Sequence, residues 1–331
     1  MTRLAASAPA RIDLAGGTLD IWPLYLLHEG ALTVNVAIEL RARVEARSAR
    51  DGKVRLVSRD RRQRTVRLAN RPVRHGETLE LLARLAGSLG PRGGVALTSD
   101  CEAPAGSGLG GSSALAVAAG AVLARLAGRR IGGSDLIDMV SDLESRVLRI
   151  PAGIQDYHAA RYGGACALHL EPGRIRREPI PIDPVSFAER VVLCDSGRSR
   201  SSGLSNWDMV RRRLSGEKRI ATLMDRITRA SREMRCALLA CDWDACGEAL
   251  DAEGRARSGL SPFVETPRIS ALIAAARRAG AIGGKVCGAG GGGCVVFVAR
   301  AGRRETLESA LTRAGGKILP VRVARRGLVW E

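Results

Sequence analysis

Long apolar runs are missing from this 331-residue chain, and none approaches the ~18 residues that a membrane span requires. Residues 1–10 carry one arginine and no apolar stretch of signal-peptide length, so the sequence predicts a cytoplasmic protein with no membrane partner. Lysine is scarce. Only four occur, Lys53, Lys218, Lys285 and Lys317, among 52 basic residues, so the net charge of +18 is carried by arginine. Enrichment in arginine, alanine and glycine without lysine is the composition that a GC-rich genome imposes. The basic residues are scattered, and aromatics amount to 3%, which leaves few platforms for stacking bases. No nucleic-acid partner is expected; a small polyanionic substrate uses the same field. No CxxC occurs among the eight cysteines. Cys236, Cys241 and Cys246 fall about 140° apart around a helix, so no zinc site is expected. Cys194 and Cys294 lie in apolar strand patterns and read as buried thiols.

A βαβα rhythm is also missing. Residues Ala31–Arg47 alternate, with Val34, Val36, Ile38, Leu40, Ala42 and Val44 on one face and Asn35, Glu39, Arg41, Arg43 and Glu45 on the other. That is a long antiparallel strand with one solvated face. Strands Lys53–Val57 and Arg64–Leu68 continue the meander, and helical patterns follow at Thr78–Leu89, Ser113–Ala127 and Asp135–Leu148. Beyond Pro181–Pro184, a strand at Arg190–Cys194 leads into helices over Leu204–Ala256. Thr266 caps a further helix, with Pro267 at its first position and Gly280 as its stop. Strands Lys285–Cys287, Cys294–Ala299 and Lys317–Ala324, and a helix Arg304–Arg313, complete the chain. This mixture predicts an α+β protein, and the length suits two domains, set at 1–185 and 186–331.

The segment Pro104-Ala-Gly-Ser-Gly-Leu-Gly-Gly-Ser-Ser-Ala114 precedes an alanine-rich helix. Gly106, Gly108, Gly110 and Gly111 leave backbone N–H groups free to face an anion, and the helix N-terminus adds its positive dipole end. Ser112 and Ser113 stand where hydroxyls reach a phosphate oxygen or Mg2+. The plainer reading is a flexible turn with Ser112 as N-cap, but four glycines in six residues cost chain entropy with no structural return. Gly106-x-Gly108-x-x-Gly111 also fits a dinucleotide fingerprint, weakly, because a proline precedes it and no strand-borne acid follows. No Walker A sequence is present.

Along Asp135–Leu148, Leu136, Ile137, Val140, Leu143 and Val147 share one arc while Asp135, Asp138 and Asp142 face away. Glu144 falls inside the apolar arc. A buried carboxylate needs a cation, either an arginine or a metal. Asp156, in Pro151-Ala-Gly-Ile-Gln-Asp156-Tyr, is either the N-cap of a helix beginning at Tyr157 or a carboxylate that orients or deprotonates a substrate hydroxyl. Near the N-terminus, Arg11 lies on a strand, Gly17 in the glycine turn after it and Asp20 just beyond, where turn formation alone would account for it. The run Gly288-Ala-Gly-Gly-Gly-Gly293, with Gly290 and Gly291 at its centre, holds more glycine than a hairpin requires and points to close approach of a ligand.

These three segments, in this order, resemble the GHMP kinase family over nearly the whole chain. The resemblance implies an N-terminal domain like ribosomal protein S5 domain 2, a ferredoxin-like C-terminal domain, and ATP, Mg2+ and acceptor between them. It implies that the loop Pro104–Ser113, including Ser107 and Leu109, cradles the ATP phosphates and that Ser112 and Glu144 hold Mg2+. It further implies that Asp156 is the catalytic carboxylate, Arg11 its guanidinium partner, and Asp20 a contact to sugar hydroxyls. Arg11-Ile-Asp-Leu-Ala-Gly-Gly-Thr-Leu-Asp20 and Gly106–Ser113 are most similar to the branch holding bacterial D-glycero-D-manno-heptose 7-phosphate kinases and the fucokinase-like and galactokinase-like sugar kinases. Cys194-Asp-Ser-Gly-Arg-Ser-Arg-Ser-Ser resembles that branch too. Two positions depart: Gly111 replaces a commoner serine, and Thr18-Leu19 replaces Gly-Thr before Asp20.

The expected reaction is transfer of the γ-phosphoryl group of ATP to a hydroxyl of a sugar or sugar phosphate. Gly17, Asp20, Gly290 and Gly291 are then expected at the acceptor, with Arg198 and Arg200 gripping an acceptor phosphate. A non-catalytic sensor on the same fold, a mevalonate-type alcohol kinase and an NAD(P)-dependent dehydrogenase are the alternatives.

Overall fold

Strand β1 (Arg3–Ala15) and strand β2 (Leu32–Ser48) pair antiparallel along most of their length in the computed structural model, which describes residues 2–198 and 203–331. Strands β3 (Lys53–Ser58) and β4 (Gln63–Leu68) form an edge hairpin. Helix α1 (Glu80–Leu89) precedes β5 (Val95–Cys101), which inserts between β2 and β3 and runs parallel to β3. Helices α2 (Gly111–Leu126), α3 (Gly133–Leu148) and α4 (Gln155–Tyr162) follow, then a hairpin of β6 (Ala165–Glu171) and β7 (Arg174–Ile180). With 17 residues, β2 has room for two partners on one edge: residues 42–48 pair with β5 and residues 32–36 with β6.

One face of this sheet is covered by α1, α2 and α3, where Ala42, Val44, Leu56 and Leu97 pack on Leu85, Val117, Val122 and Ile137. Alanine lets α2 be buried on nearly every side. A Cβ at Gly120 would stand 2.8 Å from Val140 Cγ1, so glycine there lets α2 and α3 close up.

The second half begins with α5 (Pro184–Arg190), whose N-cap Asp183 accepts the N–H groups of Val185 and Ser186. Then come β8 (Val191–Asp195), α6 (Gly203–Leu214), α7 (Lys218–Leu239), α8 (Trp243–Leu260) and α9 (Pro267–Arg278). Strands β9 (Ala281–Val286) and β10 (Cys294–Ala299), α10 (Arg304–Arg313) and β11 (Lys317–Leu319) complete an antiparallel sheet of order β11-β8-β10-β9. The Thr266 hydroxyl accepts the Ile269 N–H, with Pro267 in the first turn of α9, as the pattern predicts. Cys194 and Cys294 are buried and free, whereas Cys236 and Cys241 are exposed.

Val192, Cys194 and Phe297 meet Ile269, Leu272 and Leu307 on one face of this sheet. On the other, Val191, Leu193 and Val296 meet Met234 and Leu250 together with Ile12, Val34 and Val36 of the first sheet. The two sheets therefore share a core.

Two expectations are corrected. Asn35 is buried, as are Thr33 and Ala37, and Ala37 packs against Ala159 of α4 and Ala324 of the tail on the face of β2 that alternation left to solvent. The last long strand stops at Leu319, where Pro320 has no N–H to donate. The tail returns to the first sheet, Val323 bridging Ile38 and β12 (Val329–Trp330) pairing with β1. Among the described residues no helix is long and apolar enough to cross a membrane.

Candidate active site

The loop 104–113 leaves β5 and walls a hollow of about 330 Å3 where the two halves meet. Strand β1 fixes the loop: the Arg11 N–H donates to Leu109 O at 2.9 Å, and Arg11 Nη1 to Gly108 O at 2.6 Å. The Leu109 side chain belongs to the core, so this residue offers only backbone. Ser112 is not the N-cap of α2. That position is Gly110, at φ +72°, and Ser112 sits in the first turn, where helix N–H groups have no intrahelical acceptor. A Cβ at Gly110 would lie 2.9 Å from Asp156 Oδ2, so glycine answers both the left-handed backbone and the approach of the carboxylate.

Glu144, on α3, is 5% exposed, and among the described residues no arginine or lysine pairs with it. Its Oε2 accepts Ser113 Oγ at 3.0 Å and Tyr157 OH at 2.6 Å, and its Oε1 accepts Ser112 Oγ. Burial pushes its carboxyl pKa up against the pull of these hydroxyls. The arginine alternative for Glu144 therefore falls. Glu144 and Ser112 offer oxygen donors alone, the set suited to a hard divalent cation whose other ligands are phosphate and water.

Asp156 is likewise not a cap: Ile154 holds that position, and Asp156 lies in the first turn of α4. Its Oδ1 pairs with Arg11 Nη2 at 2.6 Å. Burial raises its pKa, with Arg11 opposing. Asp20, 4% exposed, accepts the Gln155 N–H at 3.0 Å, and burial lifts its carboxyl to about 6. Arg11, Gly17, Asp20, Glu144, Asp156 and the loop 104–113 all line this hollow.

Other expected residues lie elsewhere. Gly290 and Gly291 do not line the hollow: a Cβ at Gly290 would stand 2.6 Å from Val264 O, and the Gly291 N–H donates to that oxygen. The close approach that the third glycine run requires is to protein backbone, since a Cβ at Gly293 would lie 2.6 Å from Ser107 O. Gly288 and Ala289 alone of this run reach the hollow. Arg198 is exposed and offers its carbonyl to the Gly293 N–H; Arg200 lies outside the described residues. The dinucleotide reading loses its context, because loop 102–110 intervenes between strand and helix and β5 joins an antiparallel neighbour.

Sequence reading missed a buried charge cluster beside the hollow. Lys285 Nζ pairs with Asp13 Oδ2 at 3.1 Å and with Glu253 Oε1 at 2.9 Å. Arg257 Nη2 contacts the same two oxygens at 3.5 and 2.9 Å. Burial would lift the Asp13 carboxyl, but Lys285, Arg257 and Arg11 outweigh it and hold it below its ordinary value. Arg257 Nη1 also donates to Thr18 Oγ1 at 3.1 Å and to Gly288 O at 3.0 Å, tying the turn after β1 to the third glycine run. Thr18 sits at φ +78°, a region glycine favours, which is the physical meaning of a threonine at this point of the turn. The readable signals were Lys285 inside an apolar strand and the i, i+4 spacing of Glu253 and Arg257.

Comparison with known proteins adds the following. A family model described as GHMP kinases N terminal domain matches residues 73–164, and one described as GHMP kinases C terminal matches residues 234–317. A mevalonate kinase of Thermococcus sibiricus is 28% identical over 98% of each chain. A D-glycero-alpha-D-manno-heptose 7-phosphate kinase of Campylobacter jejuni is 24% identical over 99% of this chain and 98% of its own. The crystal structure of a D-glycero-D-manno-heptose 1-phosphate kinase from Bacteriodes thetaiotaomicron superposes with a TM-score of 0.79 at 22% identity, covering 99% of this chain and 98% of that one.

Proposed function

The chain belongs to the GHMP kinase family, ATP-dependent phosphotransferases that act on alcohols, and we propose that its acceptor is a hydroxyl of a sugar or sugar phosphate. The observation that carries this reading is one hollow in which Asp156, braced by Arg11, faces the glycine loop and a buried Glu144 that no cation among the described residues neutralises. Phosphoryl transfer asks mainly for positioning and for neutralisation of charge.

The backbone N–H groups at the start of α2 hold phosphate oxygens. Ser112 and Glu144 would hold Mg2+, which when bound offsets the charge of the transferring group. Asp156 orients the acceptor hydroxyl and takes its proton, and its raised pKa suits it to that exchange. Arg11 fixes the Asp156 carboxylate and, through Gly108 O, sets it against the phosphate loop. Asp20 accepts from a neighbouring acceptor hydroxyl, and Gly17 lines the same hollow without a side chain, since a Cβ there would stand 2.3 Å from Asp13 Oδ2.

Two acids at the acceptor end favour a polyol, whereas the full-length similarity to a mevalonate kinase favours a simpler alcohol. ATP consumption measured against a panel of sugars, sugar phosphates and mevalonate decides between them. Turnover is expected with a sugar or sugar phosphate. Turnover with mevalonate alone overturns the sugar reading, and ATP binding without turnover on any acceptor supports a sensor.

A further inference from the structure

A second hollow, of about 570 Å3, opens at the C-terminal end of α2 against the returning tail. Arg125, Arg129, Arg130 and Arg161 line it, and among the described residues no Asp or Glu does. Its floor is apolar, built from Ala121, Ala124, Leu136, Leu328 and the half-exposed Trp330. None of the four guanidinium groups pairs with a carboxylate among the described residues. Arg129 donates to Ser88 O at 3.0 Å, Arg125 lies 4.7 Å over the Trp330 ring, and Arg161 lies 5.3 Å over the Tyr162 ring. Arg130 is exposed.

Coding bias scatters arginines; it does not gather four around one hollow and keep every acid out. Nor does the end of α2 explain them. Its dipole amounts to about half a negative charge, which favours one cation in the last turn, and Arg125 supplies it. Three further positive charges at close quarters repel one another until an anion sits among them. The volume falls within the ~300–1,000 Å3 of small-molecule sites, and an apolar floor below a charged rim is the form such sites take.

We propose that this hollow binds a small organic anion bearing two or more phosphate charges, with its phosphates among Arg125, Arg129, Arg130 and Arg161 and its uncharged part over the alanine floor beside Trp330. Glu144, Asp156 and Asp20 do not line it, so the ligand is not a reactant of the hollow described above. The same three helices nevertheless join the two places. Helix α2 begins with Ser112 and ends at Arg125, α3 carries Leu136 and Glu144, and α4 carries Asp156 and Arg161.

The test reads binding directly and does not depend on the kinase reading. Inorganic pyrophosphate is titrated into the full chain while tryptophan emission is followed, with Trp330→Phe used to isolate the Trp330 contribution. A saturable change that is lost in Trp330→Phe is expected. Arg130→Glu, at an exposed position, should weaken the pyrophosphate affinity by about tenfold or more. Circular dichroism of each variant checks that it is folded. No saturable change, the same change with sodium chloride at matched ionic strength, or unaltered affinity in folded Arg130→Glu overturns the proposal. A response to a single-stranded oligonucleotide and not to pyrophosphate overturns it as well, in favour of a polynucleotide.

Discussion

Two sets of buried carboxylates border one hollow, and they are neutralised in opposite ways. Asp13 and Glu253 share Lys285 and Arg257, two acids against two bases in one contact group. Glu144 has three hydroxyl donors and, among the described residues, no base. Hydroxyls satisfy lone pairs without cancelling charge, so the charges of the first set are balanced within the protein and that of Glu144 is not balanced by any described residue. A carboxylate left in that condition beside free helix N–H groups is placed for a cation that arrives with a ligand. The contrast separates what holds the two halves together from what works between them.

The sharpest test of the working side is Asp156→Asn. Loss of the proton acceptor should lower kcat by about 10²–10⁴-fold, while ATP affinity, read by calorimetry, stays near wild type. Unchanged turnover would remove Asp156 from the reaction. On the structural side, Lys285→Met leaves Asp13 and Glu253 with one cation between them. Breaking a buried pair from one side costs about 3–5 kcal/mol, so the urea midpoint should fall steeply. A midpoint close to wild type would mean that Arg257 alone balances both acids.

The two sides were not equally legible in the sequence. Glu144 announced itself because a charged residue interrupts a helical apolar arc, and a 3.6-residue period is long enough to show the intrusion. The loop 106–113 was legible from glycine spacing, whereas the role expected of Arg11 came from the family resemblance. Asp13 was not: it follows Arg11 by two on the same strand, and alternation alone gives no sign that the neighbouring half will seal that face. Gly290 and Gly291 misled for a related reason. Glycine records close approach but not what approaches, and here it is Val264 and the loop 106–107. The antiparallel core strands and the capped helix α9 followed from local pattern; burial of Asn35 and the return of the tail to β1 are tertiary outcomes that no local period encodes.

Asp20 belongs with Glu144 as an acid whose burial is not offset by a neighbouring base. Its folded pKa of about 6 exceeds the ordinary 3.8, so between those values the folded state holds a proton that the unfolded state has lost. Its contribution therefore weakens stability as pH rises from about 4 to 6, and above 6 the whole penalty is present, about 3 kcal/mol as an upper figure. Asp20→Asn keeps an oxygen for the Gln155 N–H and removes that penalty. It should unfold later than wild type at pH 7, match it near pH 3.5, and raise the KM of the acceptor. Equal stability of the two proteins at pH 7 would place Asp20 among the compensated acids instead.

The smallest effect is the one that bears most directly on the contrast. Glu144→Gln removes a buried charge that no cation among the described residues balances but puts an amide NH2 where one of two accepting oxygens stood. With that NH2 in the place of Oε1, Ser112 can turn its hydroxyl to accept from it while Ser113 and Tyr157 go on donating to the remaining oxygen, so the two changes largely cancel, and the unliganded protein should melt within about 1 kcal/mol of wild type. The ligand response should differ sharply. Mg2+ with a non-hydrolysable ATP analogue should raise the melting temperature of the wild type much more than that of Glu144→Gln, because a neutral amide is a poor ligand for a hard cation. If Glu144→Gln instead lost stability on the scale of Lys285→Met while keeping the full response to Mg2+ and nucleotide, Glu144 would be a structural acid like Asp13, and the division drawn between the two sets would not stand.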